Sequence, residues 1–130
     1  EKKELKESTQ ERITWILNEV AASSGQEVEK TILPAEKAES ISGEAHNLQN
    51  IVHAAFKSSK WEDTIKGIKE FLRVPHSDKV EARAHFYLAQ SHYFQKNYKK
   101  AFLEFLMARD SYYQHVTPWL EILYGKLRES

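Results

Sequence analysis

Apolar residues along the chain recur at spacings of three, four and seven, the period of helices that bury one face. The first stripe is Ile13, Ile16, Leu17 and Val20, and it stops near Ser23, Ser24 and Gly25, where a helix end is expected. A thinner stripe, Val28, Ile32 and Leu33, runs into Pro34 and continues through Ala35, Ala38 and Ile41. Residues 26–42 are therefore expected to form one short or kinked helix. From Glu44 the pattern strengthens. Leu48, Ile51, Val52, Ala55 and Phe56 form one stripe, which ends at Ser58 and Ser59. Trp61, Ile65, Ile68, Phe71 and Leu72 form the next, closed by Val74 and Pro75, because a proline disfavours helix in the residue before it. Asp78 followed by Glu81 has the spacing of a capping box, and the helix it opens is expected to reach about Gln95. Asn97 is placed to cap another helix, reaching about Tyr113. Thr117 with Pro118 behind it predicts a last helix over 117–128.

Composition narrows the class. Only 4 Gly and 3 Pro occur in 130 residues rich in helix formers, which favours one all-α domain with a helical appendage. The 3 Trp, 6 Tyr and 6 Phe supply apolar surface for a core and exclude global disorder. With no Cys, disulfides, thiol catalysis and thiolate zinc sites are excluded. No apolar run approaches the ~20 residues that a membrane-spanning helix needs. Nineteen basic and nineteen acidic side chains leave no net charge, whereas a phosphate-binding surface needs a cationic excess. Nucleic acid is thus not an expected partner. The balance is uneven along the chain: residues 1–40 carry net −3 and residues 41–130 net +3, with all six His in the second part. Glu1 rather than Met at the first position leads to the expectation of a processed or trimmed chain.

The chain also repeats itself. Phe56-Lys57-Ser58-Ser59-Lys60-Trp61 aligns without gaps on Tyr93-Phe94-Gln95-Lys96-Asn97-Tyr98, an offset of 37 residues. The same offset pairs Ile51 with Leu88, Thr64 with Ala101, Ile65 with Phe102 and Ile68 with Phe105. Trp119 and Ile122 lie 34 residues after His85 and Leu88. A helical pair recurring every 34 to 37 residues predicts an α-solenoid, in which each pair covers its neighbour's apolar face.

These residues resemble the tetratricopeptide repeat (TPR) family. Leu88-Ala89 occupies the Leu-Gly step of the family's first helix, and Ala101, Phe105 and Ala108 reproduce the Ala…Phe…Ala spacing of the second. Ala89 and Ala101 are small where two helix backbones approach closely. The sequence departs from the family at His85, His92 and Tyr113, where Trp, Tyr and Pro are usual. The upstream copy is more degenerate, with Val52 and Thr64 at the small positions. The resemblance implies a TPR-like solenoid of about two and a half repeats over 44–130, with repeats at 44–78 and 79–115 and a terminal helix at 117–128. Residues 1–43 are then an N-terminal segment of one or two additional helices. A narrower likeness, carried by Val74-Pro75-His76-Ser77 and by Asn97-Tyr98-Lys99-Lys100-Ala101, is to TPR lipoproteins and scaffold proteins of bacterial envelopes. It implies the periphery of a bacterial cell, periplasm or envelope, ahead of the cytoplasm.

Catalytic and metal-binding patterns are missing from the sequence. His46 and His53, like His85 and His92, stand seven apart, about 10.5 Å along a helix and too far to share a metal ion. There is no Gly-x-Ser-x-Gly elbow, and Gly25, Gly43, Gly67 and Gly125 are scattered singly, so no glycine loop can cradle phosphate. No enzyme activity, cofactor or metal is expected. What the resemblance implies instead is binding of a protein or peptide segment on the concave face of the first helices. That face would present His46, Gln49, His53 and Phe56, then Arg83, Phe86, Gln90 and Tyr93, then Leu120 and Tyr124. Family members that clamp a C-terminal carboxylate place Lys and Asn or Arg where this chain has Gln49, His53, Phe86 and Gln90, so that mode is not expected. The occupant is either a partner segment or helix, or the Ile13–Val20 stripe of the chain itself. The alternative is a structural subunit that forms homo-oligomers through its N-terminal helices.

Overall fold

The structure, a computed structural model, describes residues 28–37 and 43–129. Among them the chain is all-helical, with no strand. Pro34–Lys37 form a short 3-10 turn. Five helices follow: α1 (Gly43–Ile51), continued by a π-helical turn at Val52–Phe56; α2 (Trp61–Phe71); α3 (Asp78–Phe94); α4 (Tyr98–Ala108); and α5 (Tyr113–Glu129). No described helix is long and apolar enough to cross a membrane. The Ile13–Val20 stripe, and with it the N-terminal helix expected to mediate assembly, lies outside the described residues.

Three expectations about element boundaries are corrected. The helix expected over 26–42 is replaced, where it is described, by a non-helical run at Val28–Leu33 and the 3-10 turn. Val28, Thr31 and Ile32 are β-branched, and Pro34 disfavours helix at Leu33. The cap of α3 is Ser77 rather than Asp78: its hydroxyl accepts from the Val80 amide, while Glu81 accepts from the amide of His76 at 3.0 Å. The last helix starts four residues before Thr117. Pro118 is buried inside α5, and the Thr117 hydroxyl donates back to the Tyr113 carbonyl at 2.8 Å.

The 37-residue repeat is visible in the backbone. At the α1–α2 turn the Lys60 amide donates to the Ala55 carbonyl (3.0 Å) and that of Ser59 to Phe56 (2.9 Å). At the α3–α4 turn the Asn97 amide donates to His92 and that of Lys96 to Tyr93, both at 2.9 Å. Ser59 and Lys96 carry positive φ angles of 60° and 67°, the left-handed bend that closes a helix. Every member of one turn is 37 residues from its counterpart.

Helix α3 is the axis of the fold. Eleven of its residues are buried, on more than one face, and α4 is the helix it packs against most extensively. Phe56 meets Tyr87 edge-on at 4.7 Å, Trp61 stacks on Phe94 at 4.6 Å, and Phe105 stacks on Trp119 at 5.3 Å. These rings tie α1, α2, α4 and α5 to α3 or to one another. Ala89 and Ala101 are fully buried. In the first hairpin, Gly67 takes the corresponding role: a Cβ there would lie 3.3 Å from Ile51 of α1. Ala101→Trp should therefore cost at least ~1–3 kcal/mol in denaturant unfolding, because the close contact cannot expand. An unchanged midpoint would show that the hairpin is not tightly packed there.

His76 fastens the loop before α3 to both helices of the first hairpin. Its ring stacks on Phe71 at 3.9 Å, and its two nitrogens face the Glu44 carboxylate (2.8 Å) and the Phe71 carbonyl (2.7 Å). Both partners are acceptors, so only the doubly protonated ring satisfies both. Burial works against that charge, but the Phe71 carbonyl and Glu44 outweigh it and raise the pKa above 6.5. His92 is the reverse case: burial lowers its pKa, and its Nδ1 has no hydrogen-bond partner. The raised group stabilises fully below the unfolded value and loses this as pH rises through its folded pKa. The lowered group penalises folding as pH falls below the unfolded value. Melting temperature should then peak near the ordinary histidine pKa of 6.5. In His76→Gln the decline on the alkaline side should flatten; an unaltered alkaline decline would remove His76 from the account.

Candidate functional site

The face of α1 and α3 is covered by the chain's own residues 28–36. Three side chains of α3 at successive turns, Arg83, Tyr87 and Gln90, form a polar stripe along one of its buried faces. The non-helical segment runs antiparallel to α3 along that stripe. At one end the Gln90 amide group engages Thr31 at two points: Oε1 accepts from the Thr31 amide at 2.6 Å and Nε2 donates to its carbonyl at 3.0 Å. A side-chain amide thus reads the backbone as a neighbouring strand would. Next, the Leu33 amide donates to the Tyr87 hydroxyl at 2.9 Å. At the other end Glu36, 2% exposed, receives Arg83 through Nε (2.6 Å) and Nη2 (3.0 Å) and the Tyr87 hydroxyl (3.1 Å).

Helix α1 closes the other side. Gln49 donates to the Glu36 carbonyl at 3.2 Å, and His53 Nε2 lies 3.1 Å from the same oxygen, a contact that places a proton on Nε2. His53 sits in the π-helical turn, where one extra residue shifts the helix register. Arg83 Nη2 also donates to the Ala45 carbonyl at 3.4 Å. Val28 and Leu33 are buried, and Lys30 reaches Ser59 (3.1 Å) above the Trp61 ring. Burial, with the Glu36 charge adding to it, pushes the Tyr87 phenol far above its ordinary pKa, so it remains a hydrogen-bond donor at any physiological pH.

Of the ten residues expected on a binding face, four come together here: Gln49, His53, Arg83 and Gln90. The aromatic part of the expectation is corrected. Phe56 and Phe86 are fully buried core residues, and Tyr93 is 7% exposed, packed on Trp119 and Phe94. They cannot stand open as anchors, because α1, α4 and α5 need them for packing. His46 is exposed on α1. Leu120 and Tyr124 line a separate trough with Phe102, Arg109 and Tyr113, between α4 and α5. Tyr87 and Glu36 were not singled out by the sequence. Tyr87 completes the spacing of four and three from Arg83 to Gln90, and the β-branched run ending in Leu33-Pro34 signalled a non-helical stretch. Nothing in the sequence marked Glu36 among nineteen acidic residues.

The buried pair can be tested by cutting it on one side or on both. Arg83→Met strands a buried carboxylate, at a cost of about 3–5 kcal/mol unless the segment leaves. The expected outcome is undocking: the Thr31 and Leu33 amides lose protection in hydrogen exchange while α3 amides keep theirs. The double substitution Arg83→Met, Glu36→Leu should restore most of that protection. Full protection in the single variant would show that the pair contributes little.

Neither a scan against protein-family models nor searches of curated proteins and of solved structures finds a match to this chain.

Proposed function

We propose that this chain is a non-catalytic protein–protein interaction module, a TPR-like solenoid that binds a peptide segment on the face formed by α1 and α3. One observation carries the reading: that face already holds a non-helical segment through side chains that grip its backbone. Gln90 at Thr31, Tyr87 at Leu33, and Gln49 with His53 at Glu36 all bond main-chain atoms. Such contacts recognise a peptide as a peptide, whatever chain it belongs to. The solenoid reading is supported by the matched turns at Ser59 and Lys96, by the small Ala89 and Ala101, and by the order of the paired helices.

Panning a display library of random linear peptides on the full chain carrying Leu33→Ser and Glu36→Gln tests this. The two changes weaken the resident segment without touching α1 or α3. Enriched peptides should bind with micromolar affinity, and Gln90→Ala should weaken them at least ~5-fold, the loss of about one or two hydrogen bonds. A folded, helical variant that enriches nothing, or binders indifferent to Gln90, would end the proposal.

A further inference from the structure

We propose that residues Val28–Glu36 are a built-in pseudo-ligand, and that the partner the α1–α3 face takes is a peptide segment with an aliphatic residue three positions before a carboxylate. The inference rests on the function proposed above and adds to it both the chemistry of the partner and an autoinhibited resting state.

The specificity is written in what the resident segment offers. Its buried apolar side chains are Val28 and Leu33, so the aliphatic requirement is confined to few positions. Gln90 and Tyr87 bond main-chain atoms and are indifferent to side-chain identity. Arg83 is different. It is 7% exposed and points its guanidinium edge at one carboxylate, with the Tyr87 hydroxyl closing on the same Glu36 oxygen. An uncharged residue at that position would leave the buried guanidinium without a counter-charge. The face therefore selects for an acid in one register, with Leu33 and Glu36 fixing the separation.

The segment adds Val28 and Leu33 to the hydrophobic core from outside the helices. The aromatic contacts that join the helices, Phe56 with Tyr87, Phe86 with Phe105 and Phe105 with Trp119, involve no residue of 28–36. Its departure uncovers the stripe without dismantling the helices. Being tethered, it competes at a high effective concentration, and a partner in trans has to outbind it.

The test uses a fluorescein-labelled synthetic peptide of residues Val28–Lys37, titrated by anisotropy into full-length protein. Wild type should bind it at least ~30-fold more weakly than the Leu33→Ser, Glu36→Gln variant, whose groove is vacated. Replacing Glu36 of the peptide by glutamine, with Glu29 kept, should weaken binding to that variant about tenfold or more, as expected for a bidentate charge-assisted contact. Adding Arg83→Met to the variant should abolish the difference between the two peptides. Equal binding of the glutamate and glutamine peptides would overturn the carboxylate rule and leave the proposed function standing. No binding of either peptide, in a variant whose circular dichroism is unchanged, would overturn the pseudo-ligand. If library peptides still bound that variant, the function itself would survive. Hydrogen exchange on wild type gives a check that needs no variant. The Thr31 and Leu33 amides should exchange faster than those of α3, through opening of the segment alone. Exchange only by global unfolding would make the segment part of the core and end the proposal. Wild-type dimerisation reversed by the peptide would assign the groove to a second copy and likewise overturn a foreign partner.

Discussion

A buried peptide backbone must have its hydrogen bonds made, and a segment that is neither helix nor part of a sheet has to find them among side chains. Residues 28–36 lie against α3 under that constraint, and it explains why a helix buried on more than one face carries Arg83, Tyr87 and Gln90. On a bundle helix these positions would be aliphatic. Here they supply donors and acceptors at the places where Thr31, Leu33 and Glu36 require them. The rest of the fold follows from this choice. With one face of α3 given to polar contacts, the core it shares with the other helices combines rings such as Phe56, Phe86 and Trp119 with aliphatic residues such as Leu48, Val116 and Leu123.

The same constraint reorders the electrostatics. The chain has no net charge, yet one full ion pair is sunk between the segment and the helices. A buried pair adds little net stability over an apolar equivalent, because two desolvation penalties offset the attraction. What it does supply is register: the pair is satisfied only when Glu36 stands opposite Arg83. His76 and Glu44 form a second cross-link, between the loop before α3 and the first turn of α1, and this contact helps to raise the pKa of the ring. Both links fasten elements far apart in sequence, where propensity has no influence.

What could be read from the sequence divides along that line. The helical stripes of Leu48–Phe56 and Trp61–Leu72 were legible because local periodicity decides them, whereas the helix expected from Asn97 to about Tyr113 ends earlier, at Ala108. The 37-residue offset was legible because an aromatic opens and closes each turn, Phe56 and Trp61 in one, Tyr93 and Tyr98 in the other. Gln49, His53, Arg83 and Gln90 were placed on one face by the resemblance to the repeat family, whose first helices form the concave surface. Phe56 and Phe86 were misjudged as open, because periodicity reports which residues share a face but not whether a neighbour covers it. The segment at Val28–Leu33 was misread because three apolar residues at helical offsets outweighed the β-branching and Pro34. The start of α5 was misread because Thr117-Pro118 imitates a helix start, while α4 leads into α5 through a short turn ending at Tyr112, whose carbonyl already accepts from the Val116 amide of α5.

Whether such a segment is held as core or as ligand is a question of magnitude. Burying Val28 and Leu33 contributes about 3–6 kcal/mol together. Leaving aside the exposed Lys30–Ser59 contact, the eight side-chain hydrogen bonds that fasten the segment contribute about 4–12 kcal/mol net. Ordering the backbone from Val28 to Glu36 costs about 9–18 kcal/mol. Gain and cost cover the same range, so docking is a balanced equilibrium in which no apolar mass decides the outcome. The hydrogen bonds decide it, and the most demanding of them belong to Glu36, whose carboxylate cannot be buried at all without Arg83. A balance governed by one charge pair responds to changes at that pair out of proportion to their size. That places the sensitivity of segment docking at Arg83 rather than at the buried rings of the core.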